Sequence, residues 1–256
     1  MKGPQMNKNI VYQTDKLARY FVQNRVSWAQ FYESERQIIK QLQLDSQQKV
    51  LDVGCGCSGL GIALRDQFGV ENYTGVEINE AAAEAGRLIN PKVNIICGDI
   101  LDLSKNSLKD KLFDVVFSLS CVDWNVCFSD TLEAIWDHVL PDGYLVVTLR
   151  LTPKDGCNDI ATSYQYIDFD GNMEGELASY VVLNAKLLID ELISFEPSEI
   201  NSYGYWGTPS TNAVTPYDRL CFAAFSVRKR RVGDVEPLSF KLDLPDEILR
   251  NIGLPF

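Results

Sequence analysis

The stretch VLDVGCGCSGLG, Val50 to Gly61, runs an apolar strand into an acid and then into glycines at 54, 56 and 59, interleaved with Cys55, Cys57 and Ser58. G-x-G-x-x-G spacing at a strand-to-helix junction lets backbone N–H groups and a helix N-terminus approach a ligand closely. On its own this spacing leaves several nucleoside cofactors open. Glu77 ends the next apolar segment, NYTGVEI, about twenty residues on, where an acid accepts both hydroxyls of a ribose. Asp52 narrows the choice, because a carboxylate two residues before the first glycine opposes a diphosphate and suits a cationic ammonium and sulfonium. Asp99, in CGD at the end of a third strand-like run, stands at the same carboxyl edge and can accept a hydrogen bond from an adenine amino group.

Working outward, short apolar runs alternate with helical patterns from Lys49 to about residue 151, the signal of a parallel sheet with crossover helices. KVLDVG, NYTGVEI, VNIICGDI, FDVVFSLS and GYLVVTLRL read as strands, and the β-branched runs among them are of the kind buried on both faces. GLGIALRDQF, NEAAAEAGRLIN with Asn79 as N-cap, and SDTLEAIWDHVL with Ser129 or Asp130 as N-cap read as the helices between them. Upstream, TDKLARYFVQNRVSWAQFYESERQIIKQLQL has apolar spacing for two helices. Downstream lie a polar, turn-rich interruption with a hairpin-like SYQYIDFDGN, a helix in LNAKLLIDELI, and strands in EINSYGYWG and RLCFAAFSVRK.

VLDVGCG, GVEI, CGDILDL, FDVVFS and LPDGYLVV, in this order, resemble the successive motifs of class I S-adenosylmethionine-dependent methyltransferases. The resemblance covers residues 45 to 151 in detail. It implies a Rossmann-like α/β/α sandwich with a seven-stranded, mostly parallel sheet and an antiparallel last strand. One domain is expected over 1–256: an N-terminal helical cover (1–48), a cofactor-binding core (49–151), an insertion over the acceptor pocket (152–183) and the rest of the sheet (184–256).

Carried over by position, Asp52, Gly54, Cys55 and Gly56 surround the methionine portion of S-adenosylmethionine and Glu77 holds the ribose. Ile78 and Ile100 pack on adenine, Asp99 meets its amino group, and Ser118 offers a backbone carbonyl. The family's usual third glycine falls at Ser58, with Gly59 one step later, so the start of the helix is expected to be offset and Ser58 to contribute a hydroxyl, with both Ser58 and Gly59 in the cofactor-binding set. Cys55 and Cys57 read as small residues in a tight loop, since two thiolates are too few for a closed zinc site. With no CxxC pair and a single histidine, His138, no metal site is expected.

Asp123 and Trp124, just past the fourth strand, stand where the transferred methyl group points in such a fold. Asp123 is a candidate general base or acceptor-binding group, or alternatively a cap of the following turn. The acceptor pocket is expected from the N-terminal helices, the insertion and the YGYWGTPSTNAVTPYDR loop, with Tyr32, Trp124, Tyr205 and Trp206 as walls for a hydroxylated or aromatic small molecule. His138 reads as structural and Arg228 to Arg231 as a solvated basic run.

Composition bounds the rest. A net charge of −11 in 256 residues makes nucleic acid an unfavourable partner. No apolar run reaches the roughly 20 residues of a bilayer span. MKGPQMNKNI lacks the order of a secretion signal, and the seven cysteines sit mostly in apolar segments, so a reducing, cytoplasmic setting is expected. Two rival readings share the cofactor loop: a nicotinamide-dependent oxidoreductase, and a non-catalytic S-adenosylmethionine-binding regulator.

Overall fold

The computed structural model describes residues 9, 11–167 and 172–253. The signal-peptide reading of MKGPQMNKNI, apart from Asn9, and the DFDG part of the hairpin-like segment therefore fall outside the described residues.

Two helices, α1 (Lys16–Phe21) and α2 (Glu33–Gln41), precede the ladder, joined through a 3-10 turn at Trp28–Gln30. The ladder itself runs β1 (Lys49–Val53), α3 (Gly59–Phe68), β2 (Asn72–Glu77), α4 (Glu80–Ile89), β3 (Asn94–Cys97), α5 (Ile100–Leu103), β4 (Phe113–Ser118), α6 (Phe128–Asp137) and β5 (Val139–Thr152). Beyond it come β6 (Tyr164–Tyr166), β7 (Leu177–Ser179), β8 (Leu183–Asn184), α7 (Ala185–Ser194), β9 (Glu199–Gly207), β10 (Ala213–Val214), β11 (Leu220–Arg228), β12 (Ser239–Asp243) and α8 (Asp246–Ile252).

The main sheet has the order β3-β2-β1-β4-β5-β11-β9-β12, with β8 pairing alongside the end of β5. Its neighbours run parallel except where β11 meets β5 and β9. The seven expected strands are present, with β11 as the antiparallel one, and β8 and β12 extend them to nine. β12 follows β11 in the chain, so the antiparallel strand is not the last. A second, three-stranded sheet joins β6 and β7 of the insertion to β10 of the later loop, which ties these two segments together.

Alternation along the central strands builds the layers. Leu51, Val53, Val116, Leu145 and Val147 pack with α6, α7 and α8, whereas Val50, Val115, Phe117 and Val146 pack with α2 and α3. These strands are buried on both faces, which is why they read as continuous apolar runs. Asn79 caps α4 by accepting from the Ala82 N–H at 2.9 Å. The start of α6 differs from expectation: it begins at Phe128 with Cys127 in the capping position, and neither Ser129 nor Asp130 serves. Among the described residues no helix is long and apolar enough to cross a membrane.

Candidate active site

The loop after β1 turns on left-handed residues. Gly54 has φ +76°, Gly56 φ +53° and Ser58 φ +61°. At Gly54 a Cβ would also strike the Cys121 Sγ at 2.3 Å, so this position admits only glycine. α3 starts at Gly59, with Ser58 in the N-cap position and fully buried, so its hydroxyl is turned into the protein rather than out to a ligand. Its hydroxyl faces Asn90 at 3.5 Å, beneath the loop. Gly59 serves a close approach of protein to protein, because a Cβ there would lie 2.0 Å from the Arg25 carbonyl oxygen.

Glu77 is 7% exposed and braces this loop. Its carboxylate accepts from the Gly56 N–H at 2.7 Å and from the Asn79 N–H at 2.9 Å. Burial raises its pKa, and these backbone donors oppose the shift. Each oxygen keeps further acceptor capacity, so a diol could join the same carboxylate.

Asp52 points beneath the loop, where the Tyr73 hydroxyl donates to its Oδ2 at 2.5 Å. Burial pushes its carboxyl up to about 7, against the opposing Tyr73 hydrogen bond and the Arg25 charge. Because the folded state holds this proton more tightly than the unfolded chain, the stability linked to Asp52 is full below about pH 4 and is lost as pH rises through about 7. Asp52→Asn should therefore gain stability relative to the wild type between pH 5 and pH 8. Thermal melts at the two pH values check this, and a difference independent of pH would contradict it.

Cys55 and Cys57 are buried, and burial pushes the Cys57 thiol up to about 12. Cys57 Sγ donates toward the Ala18 carbonyl at 3.6 Å, and Cys55 Sγ packs against Gly75. Both are packing residues of the turn.

Asp99 caps α5 by accepting from the Leu101 N–H at 3.0 Å. It also anchors a strap formed by the start of the described chain. The Asn9 main-chain N–H donates to Asp99 Oδ2 at 2.9 Å, and the Asn9 side-chain amide donates to Oδ1 at 2.8 Å. The strap continues with the Asn79 amide donating to the carbonyls of Tyr12 (2.8 Å) and Thr14 (3.2 Å). The Tyr12 hydroxyl donates to the Trp124 carbonyl at 3.3 Å. On the far side, the Gln13 and Thr14 N–H groups donate to the Glu176 carboxylate at 2.9 and 2.6 Å. Ile100 and Ser118 are buried beside this edge and Ile78 is half-buried.

Past the end of β4, where Cys121 packs on Gly54 of the loop and Ser120 and Asp123 flank it, opens a cavity of about 350 Å³. Tyr32, Trp124, Tyr180, Tyr205 and Phe222 supply its rings, Asp123 and Arg150 its charges, and Ser34, Ser120, Thr148, Thr208 and Ser210 its hydroxyls. Three of the four expected wall residues meet here. Trp206 does not: adjacent residues of a strand point to opposite faces, so Tyr205 and Gly207 face the cavity while Trp206 packs under the Arg219 guanidinium at 4.3 Å. Arg150 and Tyr180 join them without belonging to any motif of the sequence. The signal for Arg150 was a charge inside the apolar run VVTLRLT.

Other singled-out residues have local roles. His138 is held by the Lys111 carbonyl at 2.8 Å, to which its Nδ1–H donates, and by the Ser104 hydroxyl at 3.0 Å on Nε2. The basic run is paired rather than freely solvated: Arg228 and Arg231 both bind Asp142, at 2.6 and 2.5 Å.

Residues 51–147 match the family described as "Methyltransferase domain". Trans-aconitate 2-methyltransferase of Deinococcus radiodurans is 29% identical over 100 residues, 39% of this chain and 36% of that protein. The chain spans about a third of the length of the curated relatives it matches. Among solved structures, Haemonchus contortus phosphoethanolamine N-methyltransferase 2, in complex with phosphomonomethylethanolamine and S-adenosylhomocysteine, superimposes with TM-score 0.57 at 15% identity, over 85% of this chain and 58% of that one. The YcgJ protein of Bacillus subtilis gives TM-score 0.55 at 12% identity, over 76% and 97%. The fold is that of the class I S-adenosylmethionine-dependent methyltransferases.

Proposed function

We propose that this protein is a cytoplasmic S-adenosylmethionine-dependent methyltransferase, with residues 1–256 forming one domain, acting on an oxygen or nitrogen of a small molecule, of the sugar or secondary-metabolite kind. The observation that carries the reading is the adjacency of two sites: a glycine loop braced by Glu77, and beside it a cavity holding the buried Asp123. The residues present fit the cofactor. Gly54 and Gly56 turn the loop with no side chain over it, their N–H groups being bound to the Val76 carbonyl and to Glu77, and the Glu77 carboxylate keeps lone pairs for a ribose diol, with the Asp52 acid buried below. When bound, S-adenosylmethionine supplies a methyl group already activated on a sulfonium. The protein's part is then to orient an acceptor lone pair in line with that carbon, exclude water and, for a hydroxyl, take its proton.

Asp123 is the candidate for that last role. Its Oδ1 is buried with no partner among the described residues, and burial raises its pKa against the opposing charge of Arg150. A base with a raised pKa works only above it, so turnover should fall on the acid side at a higher pH than an ordinary aspartate would set. The size of the cavity and the overall charge of −11 favour a small acceptor over nucleic acid.

The test has two arms. Calorimetry with S-adenosylhomocysteine should give binding, and labelled methyl transfer to a panel of hydroxylated and amino acceptors should be lost in Asp123→Asn with cofactor binding retained. Absence of S-adenosylhomocysteine binding would sink the reading. Full turnover in Asp123→Asn would remove Asp123 from the chemistry. Cofactor binding with no transfer to any acceptor would favour a regulatory protein instead.

A further inference from the structure

Asp99 follows Gly98, whose N–H donates to the Glu77 carbonyl at 2.9 Å, so the two acids stand at the ends of neighbouring strands, β2 and β3. A base attached to a ribose on Glu77 lies along that same carboxyl edge, within reach of the second acid. Asp99 is already engaged. Its Oδ1 accepts from the Leu101 N–H at 3.0 Å and from the Asn9 side-chain amide at 2.8 Å, and its Oδ2 accepts from the Asn9 main-chain N–H at 2.9 Å. Three of the roughly four lone-pair sites of a carboxylate are thereby filled. Two of the donors belong to one residue and fall on different oxygens, so Asn9 spans the open end of the group.

The chemistry of Asn9 matches what the acid would otherwise receive. Its side-chain amide is a planar amino donor next to an acceptor, and the edge of adenine likewise sets an amino group next to a ring nitrogen. The acceptor half, Asn9 Oδ1, takes a hydrogen bond from the buried Thr131 hydroxyl at 3.1 Å, and Asn9 as a whole is 9% exposed. Further along the strap, the Tyr12 and Thr14 carbonyls are tied to Asn79. That tether keeps Asn9 near Asp99 even when the two are not bonded, and a tethered group competes at a high effective concentration.

We propose that Asn9 is a built-in competitor of the cofactor: its amide holds the place on Asp99 that an adenine amino group takes, and the adenine end seats by displacing it. This rests on the methyl-transfer reading. Only hydrogen bonds are exchanged. The adenine amino group replaces the Asn9 amide on the carboxylate, while the Leu101 N–H keeps its bond and the cap of α5 stays in place. Hydrogen bonds to a carboxylate are among the strong ones, so the contact is populated in the absence of ligand. The apparent affinity is then lowered by the fraction of molecules in which Asp99 is free, and weakening the contact must raise it.

Calorimetry with S-adenosylhomocysteine on the full-length protein and two variants tests this. Asn9→Ala removes the amide and should tighten binding by about threefold or more. Asn9→Asp sets a second carboxylate against Asp99 and should tighten it further. Unchanged or weakened binding in Asn9→Ala overturns the proposal, and weakened binding would mean that Asn9 helps to hold the ligand. S-Inosylhomocysteine, with a carbonyl oxygen where adenine has its amino group, separates competition for the carboxylate from mere bulk. It has no donor there to offer Asp99, so its affinity should be the same in wild type and Asn9→Ala. An equal gain for both ligands would show that Asn9 only fills space, and competition for Asp99 would fall. If S-adenosylhomocysteine binds neither wild type nor variants, the methyl-transfer reading falls and takes this proposal with it. Equal binding to all three proteins sinks the proposal alone.

Discussion

Glu77→Ala should weaken S-adenosylhomocysteine binding by about 1.5–3 kcal/mol, roughly ten- to 150-fold in Kd, the scale of hydrogen bonds to a charged group. Two losses act together. The ribose loses its acceptor, and the N–H groups of Gly56 and Asn79, which Glu77 binds at 2.7 and 2.9 Å, lose theirs, so the loop is no longer held for the ligand. Glu77→Gln keeps one acceptor oxygen and should lie between the two. Calorimetry on all three proteins measures the series, and an unchanged Kd in Glu77→Ala would take Glu77 out of the cofactor site.

Arg150→Met carries the largest expected cost in stability, about 3–5 kcal/mol, because it leaves the Asp123 carboxylate buried and uncompensated. The companion change identifies the cause. In the double variant with Asp123→Asn no charge remains to strand, and most of the loss should return. The penalty should also shrink below neutral pH, where an unpaired Asp123 can take up a proton, and grow as pH rises. Denaturant unfolding of the four proteins at two pH values gives the cycle. Equal losses in the single and double variants would mean that Arg150 matters only for packing against Trp124 and Tyr180.

The parts that the sequence disclosed are those in which one physical cause acts alone. Central strands such as FDVVFS are buried on both faces, so their apolar runs are continuous and unmistakable. β12, SFKLD, is a half-exposed edge strand with apolar residues only at alternate positions, and it passed unnoticed among charged neighbours. The glycine loop and Glu77 were legible because left-handed backbone and a strand-end acid leave fixed marks at fixed spacing. The cavity was not, since its walls come from α2, the insertion, β5, β9 and β11, which only the folded chain assembles. Trp206 shows the limit of reading aromatic residues as a cluster: neighbours in a strand face opposite ways. Asp99 shows another, for the acid assigned to adenine also caps α5 and ties down Asn9.

That strap spans both sites. Asn9 and residues 12 to 14 are fastened to Asp99 and Asn79 on one side and to Glu176 of the insertion on the other, with Tyr12 reaching the Trp124 carbonyl between them. Contacts shared between the two rims predict that the occupancies are linked, so S-adenosylhomocysteine should change the affinity for an acceptor, and paired calorimetry with and without it measures that linkage.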